Sequence, residues 1–226
     1  TWTETNLLRA SNPGGVRTLE KGQGLALGSF DPGIRLPVLA TSQVGYHALC
    51  SLLSTHFLTT PGRRKAGLDL SEVSAVGREF GDHGLLALTG TSRGPLQRAV
   101  RQYGLGAGRG VLERLKEVFG PGGVAVELPA VPHAAPQVSD QLALLAREAD
   151  LPLVATGAVR SSDPSRSRLS DVLTATRFNK PLDQVEGHLQ AFQSFLRSPS
   201  EMAELFQRHP QAVENAALIA EAAAFD

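Results

Sequence analysis

Apolar positions gather into short uninterrupted runs separated by stretches with helical spacing. IRLPVLAT (34–41), GLLALTG (84–90), GVAVELP (123–129) and LPLVAT (151–156) each read as a buried strand. Between them, VGYHALCSLLSTHFL (44–58) places Tyr46, Leu49, Cys50, Leu53 and Phe57 along one helical face. LDLSEVSAVGREF opens with Asp69 three residues before Glu72, a capping signature, and SRGPLQRAVRQYG carries Pro95 where a first helical turn accepts it. GAGRGVLERLKEVFG turns Val111, Leu112, Leu115, Val118 and Phe119 inward and stops at Gly120-Pro121, and SDQLALLAREADLP aligns Leu142, Leu145, Ala146 and Ala149. Strands that are apolar throughout predict burial on both faces, hence a parallel sheet or barrel wrapped by helices. The class is α/β.

The two ends differ from this middle. Residues 1–33 hold no sustained period and read as an irregular lead-in, with one short strand around Gly24 to Leu27. Past Thr156 the pattern is helical only. Asp163-Pro164 can cap SRSRLSDVLTATRF, with Leu169, Val172, Leu173 and Thr176 at helical spacing. Ser198, Pro199 and Glu201 form a capping box before a second helix, and QAVENAALIAEAAAF is a third. The expected organisation is therefore a lead-in (1–33), a β/α segment (34–178) and a helical extension leading away from the sheet (179–226).

Composition narrows the function classes. Lys plus Arg equals Asp plus Glu at 22 each, so no global field argues for a nucleic-acid groove or an anionic membrane surface. The one cysteine, Cys50, excludes an internal disulfide framework and reads as a buried, inert thiol. No apolar run reaches the ~20 residues needed to span a bilayer, and the first residues lack a signal peptide's pattern. A cytoplasmic protein without a membrane partner is expected. The chain opens with Thr rather than Met, which reads as a segment of something longer.

In a parallel sheet, ligands sit at the carboxyl ends of the strands. Those ends supply few chemical groups here: Ala40 to Gln43, Thr89 to Arg93, Glu127 to Pro129 and Thr156 to Arg160. The six histidines, His47, His56, His83, His133, His188 and His209, show no metal-ligand spacing. His133, in the loop after the third strand, is the best-placed candidate ligand, though with no second ligand nearby it reads as a solvated loop residue. TGTSRGP lacks the features of a nucleophile elbow. GLGAGRG (104–110) follows a helix rather than a strand and carries no Lys-Ser/Thr, so it reads as a flexible interhelix loop rather than a phosphate loop. GRRKAG (62–67) reads as a solvated basic loop, and Trp2, Phe192 and Phe195 as core or docking residues.

Several stretches together resemble a known family: RLPVLATSQVGYHALCSLLS, GLLALTGTSRGPLQRAV, LERLKEVFGPGGVAVEL, QLALLAREADLPLVAT, SDVLTATR and FLRSPSEMAELFQRHPQAVENAALIAEAAAFD. They are similar to the N-terminal polymerase and histidinol phosphatase (PHP) domain of bacterial C-family DNA polymerases, the α subunits of DNA polymerase III, closest to the error-prone type. The likeness runs from 34 to 226. It implies a partial, distorted β/α barrel with a helical extension leading toward the polymerase core. In members with an intact site, His, Asp, Glu and sometimes Cys bind metal ions for phosphoester hydrolysis.

This chain departs from that pattern. The family's opening His-x-His strand, Asp-His pair and Gly-Ala-Glu are expected before Thr1. Arg35 stands where a His often precedes the first strand, and His133 falls about two positions late. The fourth strand exits as Ala155-Thr156-Gly157-Ala158-Val159-Arg160, with Gly157, Ala158 and Arg160 where ligands or their supports are expected. A guanidinium has no lone pair to offer a metal. The leading expectation is thus a non-catalytic, degenerate PHP segment serving as a scaffold, with no cofactor of its own. DNA replication and damage-tolerant repair synthesis, Mg²⁺, DNA, the palm and thumb domains and other replication or mutasome subunits are implied for the parent polymerase. One alternative is a metal-dependent phosphoesterase or 3′-5′ exonuclease whose ligands lie upstream. Another is an anion or DNA-backbone binding module built on Arg35, Arg93 and Arg160.

Overall fold

The computed structural model describes residues 34–59, 68–80, 84–130, 136–184 and 194–224. The anticipated strand at 24–27, the basic loop at 62–67, Trp2, Phe192 and His133 lie outside the described residues. In chain order the elements are β1 (Val38–Ala40), α1 (Gln43–Thr59), α2 (Leu70–Phe80), β2 (Leu85–Leu88), α3 (Pro95–Tyr103), α4 (Leu105–Phe119), β3 (Val124–Pro129), α5 (Pro136–Glu148), β4 (Leu153–Thr156), α6 (Ser167–Phe178), α7 (Pro199–Leu205) and α8 (Pro210–Ala222). The fold is mixed α/β. Its strands lie in the order β1-β2-β3-β4, and among the described residues they form an open sheet.

β2, β3 and β4 are parallel, as expected, but β1 runs antiparallel to β2, with Leu39 opposite Leu86. The all-parallel expectation is corrected on that edge. An uninterrupted apolar run reports that both faces are covered and carries no information about strand direction. The reversal has a consequence for function. It brings the residues entering β1 to the same side of the sheet as those leaving β2, and sends Ala40 to Gln43, expected at the ligand-bearing end, to the opposite side. There the Thr41 N–H and hydroxyl both donate to the Gly84 carbonyl, at 2.8 and 3.0 Å.

Alternation along the strands divides the interior into two layers. Leu85 and Ala87 of β2, with Val124, Val126 and Leu128 of β3, join the large cluster formed with the helices, including Leu49, Leu52, Leu112, Leu115 and Leu145. Leu86, Leu88, Ala125 and Val154 face the other way, where Leu39, Ala216 and Ile219 pack on them. The C-terminal helices therefore do not simply lead away from the sheet. α8 lies on its second face, and the Asn215 side-chain amide donates to the Leu153 carbonyl at 2.8 Å. Burying that apolar face is worth about 25 cal/mol per Å², a gain α8 would forgo if it projected into water.

Two helices sit differently from the expectation. α1 turns Gly45, Ala48, Leu49, Leu52 and His56 inward and leaves Tyr46, Cys50 and Phe57 exposed. Its apolar residues occur on nearly every side, so spacing did not single out the face, and the small Gly45 and Ala48 allow closer packing than Tyr46 and Phe57. GLGAGRG is not a flexible loop. Gly104 alone joins α3 to α4, and Gly108 is buried where an added Cβ would meet Leu145 and Val100 side chains at 2.8 Å. Arg109 of this segment makes a two-pronged pair with Glu148 of α5 at 2.9 and 3.1 Å.

Leu112, fully buried, and Leu218, 61% exposed, share one chemistry in opposite environments. Leu112→Ala is expected to cost about 2–5 kcal/mol in urea unfolding, and Leu218→Ala to stay within about 0.5 kcal/mol.

Candidate functional site

The parallel strands end around one buried carboxylate. Glu127, on β3, is 4% exposed and occupies the second face of the sheet, in line with Ala125. Its backbone N–H donates to the Thr89 hydroxyl at 2.9 Å, and the Thr156 hydroxyl donates to its Oε1 at 2.6 Å. The buried carboxylate needs a donor such as Thr156 because the cost of removing it from water is large. Two threonines, one following β2 and one ending β4, thus tie three strands together at their carboxyl ends.

Above Glu127 opens a cleft of about 610 Å³. Its walls include Arg35 before β1, Arg93 after β2, Arg160 after β4 and Arg166 just before α6, with Leu169 and Leu173 of α6 along one side. The three arginines singled out from sequence are therefore gathered in one place. Arg35 arrives there because β1 is antiparallel, which the parallel-sheet expectation did not foresee. Its N–H donates to the Arg93 carbonyl at 2.9 Å, and the two chain segments lie close because of glycine. An added Cβ at Gly90, where φ is +77°, would come within 2.6 Å of the Arg35 carbonyl and of Gly94 Cα. Only glycine tolerates both that conformation and that approach.

The loop after β4 is held just as firmly. Ala158 has φ +44°, in the left-handed region that costs a residue with a Cβ about 1–2 kcal/mol. Beyond it, the Arg160 and Ser161 N–H groups donate to the Ser194 carbonyl at 2.7 and 3.1 Å, and the Leu196 N–H returns to Ser161. Phe195 lies in this pairing, with the Arg197 guanidinium 4.2 Å above its ring. Asp163 then organises the turn Pro164–Arg166 that precedes α6, accepting from the Ser165 N–H at 3.0 Å and from the Ser165 and Ser162 hydroxyls. These hydroxyls, the Ser165 contact foremost, hold its carboxyl below the ordinary carboxylate range. Arg166 lies 3.5 Å from Asp163 and was not foreseen as a cleft residue; the Asp163-Pro164 helix start directly after a strand was the available signal.

Among the described residues the cleft's donor set does not fit a metal centre. Among the described residues no three His, Cys, Asp or Glu side chains converge. His47 is exposed on α1, His56 is buried with its Nδ1 3.3 Å from Glu72, and His209 lies 3.8 Å from Asp140, all outside the cleft. Glu127 is the cleft's carboxylate, and four guanidinium groups accompany it. Cations around the position disfavour another cation by direct repulsion.

A family model described as PHP domain matches residues 19–130. The chain is 35% identical over 204 residues to an error-prone DNA polymerase of Cutibacterium acnes, covering 88% of this chain and 17% of that protein. It is 34% identical over 205 residues to an error-prone DNA polymerase of Nocardia farcinica, covering 86% and 17%, and 34% over 199 residues to one of Mycobacterium tuberculosis, covering 86% and 18%. The chain thus spans less than a fifth of the length of these relatives.

Ala158→Gly is expected to relieve the left-handed strain and raise stability by up to about 1 kcal/mol in denaturant unfolding. Asp163, whose folded pKa is lowered, stabilises the turn before α6 above its unfolded value of about 3.9 and loses that contribution as pH falls through the folded value. Asp163→Ala is expected to flatten the acid side of the stability-pH curve while leaving its neutral-to-alkaline shape unchanged.

Proposed function

Because the chain carries a PHP domain and is homologous to a segment of error-prone DNA polymerases, we propose that it is a non-catalytic scaffold within a longer polymerase of this kind. The observation that carries this reading is the composition of the cleft: four arginines and one buried carboxylate at the strand ends where a metal-dependent phosphoesterase needs several anionic or imidazole ligands. In this reading, nucleotidyl transfer, its Mg²⁺ and contact with the DNA template belong to other parts of the longer protein, in replication and damage-tolerant repair synthesis.

Surface chemistry supports a packed role. On α6, Leu169, Val172 and Leu173 are 57%, 49% and 60% exposed, and on α1 Phe57 and Leu58 are also exposed. A cluster of large apolar side chains in water is a feature of surfaces that meet other protein. Palm and thumb domains are the partners this reading assigns. Among the described residues no helix is long and apolar enough to cross a membrane.

Metal analysis of the full-length protein tests the non-catalytic reading. The expected result is Mn and Zn well below one per chain in the PHP region and no chelator-sensitive phosphodiester hydrolysis from it. A stoichiometric, chelator-sensitive metal content accompanied by nuclease activity overturns it in favour of the phosphoesterase.

A further inference from the structure

A scaffold does not by itself account for the charge in the cleft. The chain is balanced overall, with 22 basic and 22 acidic side chains, yet Arg35, Arg93, Arg160 and Arg166 share one cavity whose lining, among the described residues, contains a single carboxylate. That carboxylate, Glu127, sits in the floor and receives the Thr156 hydroxyl. Asp163, which does not line the cavity, lies 3.5 Å from Arg166. Among the described residues at or next to the cavity, four guanidinium groups thus stand beside two carboxylates. Like charges held together in a partly enclosed space repel, and an anion between them reverses the sign of that interaction.

The cavity is also built rather than incidental. The Arg35 and Arg93 backbones are joined at 2.9 Å over the Gly90 and Gly94 contact, and the Arg160 backbone is joined to Ser194 at 2.7 Å. The chain segments that carry the guanidinium groups are thus fixed before any ligand arrives, which lowers the ordering cost of binding. Its volume, about 610 Å³, lies within the usual range for small-molecule sites, roughly 300–1,000 Å³.

Resting on the metal-free reading above, we propose that this cleft binds a terminal phosphate group, with guanidinium groups supplying the positive charge that metal ions would supply in a hydrolytic site. Several arginines converging on one point suit a phosphate monoester or pyrophosphate, whose charge near pH 7 is about −1.5 to −2 or more per terminal group, better than a singly charged carboxylate. Arginine forks match phosphate oxygens in pairs. No bond is made or broken. The group can come from a free ion or from the 5′ end of a nucleotide, and the apolar wall of Leu169 and Leu173 leaves room for an attached organic part.

The test is calorimetric titration of the full chain, in EDTA, with pyrophosphate, orthophosphate, and a dinucleotide with and without a 5′-phosphate. One saturable site is expected, weakening as salt rises, with the phosphorylated dinucleotide favoured over its unphosphorylated counterpart. Arg93→Ala and Arg160→Ala are each expected to weaken binding about tenfold or more, the loss of a charge-assisted contact. Arg114→Ala, an exposed residue of α4 paired with Glu117, is expected to leave it unchanged. Circular dichroism checks that each variant folds, and Arg160→Lys is expected to retain more affinity than Arg160→Ala. Preference for a free ion over the phosphorylated dinucleotide supports the site and assigns its ligand as inorganic. Measurable and equal binding of the two dinucleotides with no binding of either free ion, or equal losses in Arg114→Ala and the cleft variants, overturns the proposal. Absence of binding with or without Mn²⁺ overturns the phosphate site alone. Binding only with Mn²⁺, followed by release of free phosphate, overturns the metal-free reading as well.

Discussion

A carboxylate buried in a sheet that is otherwise apolar on both faces must be given hydrogen-bond partners, and the Thr156 hydroxyl at the end of β4 supplies one to Glu127 of β3. Thr89 accepts from its N–H, and Thr156 donates to its side chain. Both threonines stand at strand ends, so the carboxyl ends of β2, β3 and β4 are drawn to one polar node. The cleft opens at that node because the apolar packing stops there. Leu88, Ala125 and Val154 close the second face beneath α8, and farther along, Gly90, Glu127 and Ala158 line the cavity.

Around this node backbone geometry holds the loops. Gly90 and Gly94 let the turn after β2 press against the segment entering β1, and the left-handed Ala158 redirects the chain after β4. The second loop places a strained residue in the wall of a cleft, where strain is supported by the surrounding hydrogen bonds to Ser194. The glycines and the strand ends set this backbone frame independently of which side chains line the cavity.

Much of the site was legible in the sequence, for specific physical reasons. Arg93 and Arg160 follow strands whose apolar runs are bounded by Thr-Gly, and a residue just past a buried parallel strand must emerge at its carboxyl end. Arg166 escaped notice because its position depends on the tight turn that Asp163 holds after β4. Cys50 and the inward face of α1 were misread because a helix with apolar residues on most sides has no unique periodic face. The Gly104–Gly110 segment looked flexible by composition, whereas Gly108 serves a helix contact that no side chain could fit.

The sequence by itself determined the α/β class, the four described strands, most helix caps and the charge imbalance at the strand ends, because these depend on local spacing and residue chemistry. The Ser198–Glu201 capping box, for instance, is complete within four residues. Only the tertiary structure decided the direction of β1, the return of α8 onto the sheet and the meeting of Arg35 with Arg93 and Arg160. Each of these concerns elements far apart along the chain. A buried run shows the same apolar pattern whichever way its neighbour points, so direction follows from how the connecting segments pack and not from the strand residues themselves.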